Sequence, residues 1–422
     1  MIFRVSFIYL KLMKSFQSFL VLLFLVGAGA SLSAAETLLL KTSLVSAPVA
    51  PAKPMVTRKQ VHTCKPGPWG VLEYYYTYLE PPDSLLEKYP PPPVQTTWRF
   101  TAVSEEGLTQ FFQGKNFSEA NRPRFLDRSI WISDEDSITL YPSDELVIKL
   151  TDNERRLINM ALNTHRKFGA GFYYDTPFHF PGHDLNEWLG SAGLNDQLLD
   201  LVRRTRILMP GNWTVFGDFS LASKLVSSED ERMRFLRALS RKKTMILRLK
   251  ITEDTNLNAL AEYWTIGGAS KDIFPILKSV FSTSGVEYLD ITHLLPPTPR
   301  KLLYTYPKMS DGLNGQWRDC HWTSGNFLRA DPTDRFKDRD QYISHMRESW
   351  TRVDPPYRFG DVLMLLKPGN EALIHSCVYI ADDIVFTKNG LAPSVPWVFE
   401  HLDAMRGLYD GSRNLTLQGF RK

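Results

Sequence analysis

ALIHSCVYIADDIVFTKNG, running from Ala372 to Gly390, decides how the last third of this chain folds. Two runs rich in Val, Ile, Tyr and Phe flank Ala381-Asp382-Asp383, and Asn389-Gly390 closes the second run. β-Branched and aromatic residues on either side of a short polar break read as a β-hairpin. His375 stands near the head of the first strand. Side chains alternate along a strand, so loop length decides which residue of the second strand shares the face of His375. An odd-residue loop puts Thr387 and Asn389 there. A two-residue loop puts Lys388 there, a poor partner for a cationic imidazole. The reading favours Asn389, whose side-chain oxygen is a plain acceptor, ahead of Thr387.

Working backwards from the hairpin, RFGDVLMLLKPGN (358–370) reads as turn, strand, turn, and Asp331-Pro332 opens a polar helix over about 334–350. Before it lies WRDCHWTSGNF, Trp317 to Phe327. Asp319 suits a helix N-cap, which puts Cys320 in the first turn of a helix reaching about Leu328. A free thiol ionises near pH 8.5, and a helix N-terminus or a nearby imidazolium lowers that value. His321 follows directly, and successive helical residues point about 100° apart, so it is expected to face away. His375 is the expected base, and Thr387 or Asn389 the group that holds its ring. Trp322 is expected to line a substrate groove, and Phe327 to pack in the core. Tyr304 and Tyr306 precede the helix and read as core packing. A cysteine helix followed by an antiparallel sheet is an α+β layout.

Asp319-Cys320 at a helix start, Gly360-Asp361 before an apolar strand, and His375-Ser-Cys-Val-Tyr379 before a hairpin resemble the NlpC-type family of cell-wall cysteine peptidases. The resemblance covers roughly residues 300–422, and YDGSRNLTLQGFRK is similar to the family's final strand. It implies a papain-like fold. It also implies a cysteine, a histidine and a third polar residue that cleave amide bonds in peptidoglycan stem peptides, with no cofactor and no metal. The third residue, counted from His375, falls at Thr387. The chain departs from the family at His321-Trp322, where small residues are usual, and at Cys377, where a small residue stands two after the histidine.

The N-terminus points to export. Lys11 and Lys14 precede the apolar run Phe19–Val26, and small residues end at Ser33-Ala34-Ala35. That pattern is expected of a signal peptide over residues 1–35, with an exported, periplasmic or extracellular product. The run is too short to span a bilayer comfortably, so no stable membrane insertion is expected after cleavage. Without residues 1–35 the formal charge falls from +4 to +1, because Arg4, Lys11 and Lys14 leave 47 basic against 46 acidic residues. A near-neutral chain gives no electrostatic case for nucleic acid. The expected partner is a peptide or peptidoglycan fragment, and the expected state is a monomer.

Hydrophobic content of 43% and aromatic content of 12% exclude a mostly disordered chain. Residues 36–61 read as a Pro/Ala-rich linker, 62–295 as a mixed α/β domain and 296–422 as the hydrolase-like domain. Helices are expected over 154–168, 196–208, 228–239 and 271–281, and strands within 140–150, 244–251 and 286–291. Prolines over 293–309 are expected to forbid regular structure. Only Cys64, Cys320 and Cys377 carry thiols, and an odd cysteine in an exported chain marks a possible reactive one. His179, His183 and Glu187 have helical spacing for a metal, but Pro181 and Gly182 break the helix this needs.

Overall fold

A computed structural model describes residues 60–164, 177–209, 211–266, 272–312, 317–369, 371–410 and 414–422. The expected signal peptide and nearly all of the expected linker lie outside them.

The chain enters its first sheet through VLEYYYTYL, Val71–Leu79 (β1), and returns to it as Lys242–Lys250 (β2). The two pair antiparallel from Val71↔Lys250 to Leu79↔Lys242, and the short strands His62–Thr63 and Tyr288–Asp290 flank them. Residues 80–241 are therefore an insertion between two neighbouring strands. They carry a core of their own, including Leu86, Phe112, Phe125, Trp188, Phe216 and Leu239. Within it, Ser143 caps a helix at Asp144–Lys149 by accepting from Leu146 N, where the apolar run had suggested strands. The acidic first turn, Asp144 and Glu145, suits that helix start. The helices Asp152–Thr164, Asp196–Thr205, Glu229–Leu239 and Ile273–Ser282 form close to where periodicity put them.

The second sheet has six antiparallel strands in the order Thr351–Val353, β7, β3, β4, β5, β6. Here β3 is Val362–Leu366, β4 Leu373–Ala381, β5 Ile384–Lys388, β6 Trp397–His401 and β7 Thr416–Arg421. One face packs on helix α1, Cys320–Asn326, through Trp322, Phe327, Val378, Phe386 and Phe399. The other packs on helix α2, Leu402–Asp410, through Leu363, Leu365, Cys377, Val385 and Met405. Gly360, with φ +90°, makes the turn into β3. The buried Asp361 beside it accepts 2.8 and 2.7 Å bonds from Arg421, which ties the last strand to the start of β3. Antiparallel sheets with helices on their faces bear out the α+β class.

The boundary expected at 295/296 does not separate two cores. Leu72, Leu249 and Trp264 share one apolar cluster with Leu303, Trp322, Phe386 and Trp397. Arg58–Lys422 accordingly form one compact unit. Pro297 opens a helix, Pro297–Leu302, in the stretch expected to be irregular. A proline in the first turn lacks only an N–H that has no helical partner there. Beyond it Tyr304 N donates to Trp397 O at 2.8 Å, and Tyr304 Oη donates to Met245 O at 2.7 Å. The polar helix downstream is split into Asp334–Lys337 and Arg339–Ser349, capped by Thr333 and Asp338 in place of Asp331.

Candidate functional site

Asp319 caps α1 as its position requires: Oδ1 accepts from Trp322 N at 2.8 Å. Cys320 is the first residue of the helix, and its side chain is buried, 6% exposed. Gly325 lets the helix approach its neighbour, since a Cβ there would lie 2.7 Å from the Phe336 ring. The expected lowering of the thiol pKa does not occur in this arrangement. Burial pushes the thiol up, and the Asp319 charge adds to it. The amides of Ser376 and His321 and the Lys388 amine oppose that rise without reversing it. Desolvation outweighs the helix dipole when the sulfur has no water around it.

His321 does not face away. Its Nδ1 lies 3.6 Å from Cys320 Sγ and 3.0 Å from Ser376 Oγ, and its ring stacks on Tyr342. Adjacent Cα atoms stand only 3.8 Å apart, so a ring with two rotatable bonds reaches back over its neighbour. Ser376 Oγ also lies 3.3 Å from Cys320 O, which accepts from Ser324 Oγ at 2.9 Å as well. Burial holds His321 below the usual imidazole range.

His375 is fully buried, and alternation along β4 turns it away from α1. Ser376 faces the cysteine helix, while the His375 ring stacks on Tyr409 of α2 at 4.2 Å. No hydrogen bond joins His375 to Cys320. The ring is held instead by Thr387, with Nε2 3.0 Å from Oγ1. Thr387 donates to Asn389 Oδ1 at 3.2 Å, and Asn389 Nδ2 donates to Glu400 Oε2 at 2.6 Å. Thr387 is thus the direct partner, and Asn389, expected ahead of it, stands one step behind. The turn has two residues, Asp382-Asp383, yet Lys388 does not share the face of His375. The ladder pairs Tyr379↔Val385 and then Ala381↔Ile384, leaving Ile380 as an extra residue that restores the odd offset.

The protonation pattern of this chain follows from its hydrogen bonds. Ionised Glu400 has no proton to give, so the amide nitrogen of Asn389 points at it and the oxygen at Thr387. Thr387 has one proton, given to Asn389, so it accepts from His375 Nε2–H. The lone pair of the neutral ring is then on Nδ1. Among the described residues that buried Nδ1 has no hydrogen-bond partner. Burial lowers the His375 pKa well below the usual value, with the nearby His321 adding to the effect. Burial also pushes Glu400 up to about 7 and Lys388 down to about 7.

Trp322 does not line a groove. It is 0% exposed, its Nε1 donates to Asp334 at 3.2 Å, and Arg318 covers its ring. An indole at that helix position packs inward because the whole of α1 is buried. Phe327 and Tyr304 are core residues, as expected. Cys64, Cys320 and Cys377 are all buried and unpaired, and Cys377 Sγ lies 3.8 Å from Leu363 O. His179 sits on the strand Phe178–Pro181, whereas Glu187 lies on the helix Leu185–Leu189, so no single helix gathers them with His183. Among the described residues the one set with metal-ligand chemistry is Asp319, Cys320 and His321, whose donor atoms lie within 4.8 Å of one another. Two of those donors are already engaged, by Trp322 N and by Ser376.

Ser376, His321, Lys388, Glu400 and Tyr409 are the parts of the site that sequence reasoning missed. Alternation from His375 was the one signal available, and it points to Ser376. A cavity of about 160 Å³ lies in the 80–241 insertion and its margins, bordered by Trp98, Arg155, Asp218 and Ser220, and includes none of the residues around Cys320. No family model, no curated protein and no solved structure matches this chain. Among the described residues no helix is long and apolar enough to cross a membrane.

Proposed function

We propose that this chain is an exported thiol hydrolase that cleaves a peptide or amide bond. Peptidoglycan stem peptides are the substrate class that the NlpC-type resemblance suggests, and a papain-like arrangement of the C-terminal sheet belongs to the same proposal. The observation that carries it is the bare Nδ1 of His375, buried at the end of a hydrogen-bond chain through Thr387, Asn389 and Glu400. An unpaired buried acceptor costs roughly 1–3 kcal/mol, and such a cost at an oriented imidazole points to a role as a base.

On this reading Cys320 Sγ attacks the carbonyl carbon, and His375 Nδ1 takes the thiol proton. The same nitrogen then protonates the departing amine, and water releases the acyl group from the sulfur. The Cys320 N–H, in the first turn of α1 where the helix itself gives it no partner, donates to the developing oxyanion. Thr387 and Asn389 hold the ring throughout. The described arrangement is then a resting one, and substrate binding has to bring Nδ1 and Sγ together. Cys320→Ala tests the reading. Turnover of cell-wall fragments is lost while the unfolding transition moves little, and full hydrolysis by that variant defeats the proposal. Acyl transfer by the same residues is separated from hydrolysis by the products formed with an added amine.

Burial of the sulfur favours a second reading, in which the site is inactive and the chain is a binding or scaffold component of the envelope. Iodoacetamide decides between them. On the second reading Cys320 reacts more slowly than in the denatured chain whether or not wall fragments are present. On the first, wall fragments change its rate.

A further inference from the structure

We infer that Glu400 is a positioning residue that selects the tautomer of His375 through Asn389 and Thr387. Its functional meaning rests on the proposed role of His375 as base, while the tautomer itself does not.

The geometry is a one-way relay. Glu400 lies on β6 opposite Val385, so it shares a sheet face with Val385, Thr387 and Asn389. Its Oε2 sits 2.6 Å from Asn389 Nδ2. A primary amide can turn over and exchange its oxygen for its nitrogen at almost no steric cost. With a pKa raised to about 7, Glu400 is ionised above neutral pH, and there the carboxylate accepts only, so it holds the amide with the nitrogen towards itself. The oxygen is thereby presented to Thr387 Oγ1 at 3.2 Å, and the threonine hydroxyl must donate to it. Thr387 is left with lone pairs for His375 Nε2 at 3.0 Å. With the amide reversed, an N–H would meet the threonine oxygen, the hydroxyl would turn to the ring, and the histidine proton would move to Nδ1. The ring would keep its place and lose its free lone pair. An acceptor two residues away from the ring in this chain thus decides which nitrogen is basic. Both Glu400 and Thr387 are buried, so bulk water has little access to scramble the choice.

The full chain, labelled with ¹⁵N at histidine and held well above pH 7 so that Glu400 is ionised, tests this directly. The expected wild-type spectrum shows a pyridine-type Nδ1 and a pyrrole-type Nε2 for His375, assigned by its loss in His375→Gln. In Glu400→Met the amide loses its acceptor, and the His375 signals move towards the opposite tautomer or an average of the two. Glu400→Gln offers Asn389 an oxygen or an N–H alike, so it no longer fixes the amide, and its His375 signals fall between those of the wild type and of Glu400→Met. Asn389→Leu supplies the same readout as Glu400→Met should that variant fail to fold. A protonated Nδ1 in the wild type overturns the inference, as does a wild-type pattern in both Glu400→Met and Asn389→Leu. With an amide substrate, Glu400→Met lowers kcat by about 10²-fold, the low end of general-base contributions, with KM unchanged. The inferred tautomer without turnover of any amide defeats the proposed function and leaves the relay standing. Turnover with the reversed tautomer overturns the relay and the Nδ1 base step with it, and leaves only the thiol hydrolysis standing.

Discussion

His375 Nε2 stands 3.0 Å from Thr387 Oγ1 at the end of β4 and β5 where their ladder has stopped. Continuing the register from Val378↔Phe386 sets Thr387 against Cys377 and Asn389 against His375. The ring therefore leans one pair along to reach the threonine. Thr387→Val keeps the shape and removes the acceptor, leaving a buried N–H unpaired. The expected loss of stability is about 1–2 kcal/mol. Urea unfolding measures it, and no change at all would mean that the ring finds another acceptor.

Asp319 has two effects on Cys320 that separate by mutation. Its carboxylate caps α1, and its charge raises the neighbouring thiol pKa. Asp319→Asn keeps an oxygen for Trp322 N and removes the charge, so Cys320 alkylation speeds up with little change in stability. Asp319→Ala also removes the cap and costs about 1 kcal/mol more. Rates of iodoacetamide labelling, mapped by mass to Cys320, are the measurement.

Lys388 places a buried amine close enough to feel Asp319 and Cys320, with Nζ donating to Gly390 O at 2.6 Å and Ala392 O at 3.1 Å. Burial lowers its pKa to about 7, against a usual value above 10. Between pH 10 and pH 7 the unfolded chain takes up this proton and the folded chain does not. Stability from this group is therefore full at high pH and is lost as pH falls towards 7, by about 5 kcal/mol in all. Relative to Lys388→Met, the wild type is expected to lose stability over that window, as measured by denaturant midpoints at each pH. Parallel profiles for the two proteins would place the charge in water.

Trp322 belongs to the core. Trp322→Ala is expected to cost about 3–5 kcal/mol, as for other fully buried aromatics. Trp322→Phe is expected to cost less and to leave KM for any amide substrate unchanged. A raised KM in a stably folded Trp322→Phe protein would return this residue to the groove.

Local chemistry in the sequence determined the helix that begins at Cys320, its Asp319 cap, the hairpin Leu373–Lys388 and most of the helices upstream. Caps, turns and periodicity act over a few residues, so they are legible without the rest of the chain. The helix at Asp144–Lys149 escaped because six residues are too few to show a period. Tertiary structure decided the nesting of residues 80–241 between β1 and β2, since that pairing joins strands more than 160 positions apart. It also decided the make-up of the site. One extra residue at Ile380 set which side chains share a face with His375, and burial rather than the helix dipole set the state of the thiol. Glu400 entered the site only because β6 lies beside β5. Register and burial are properties of the assembled sheet, and no short window of the sequence holds them.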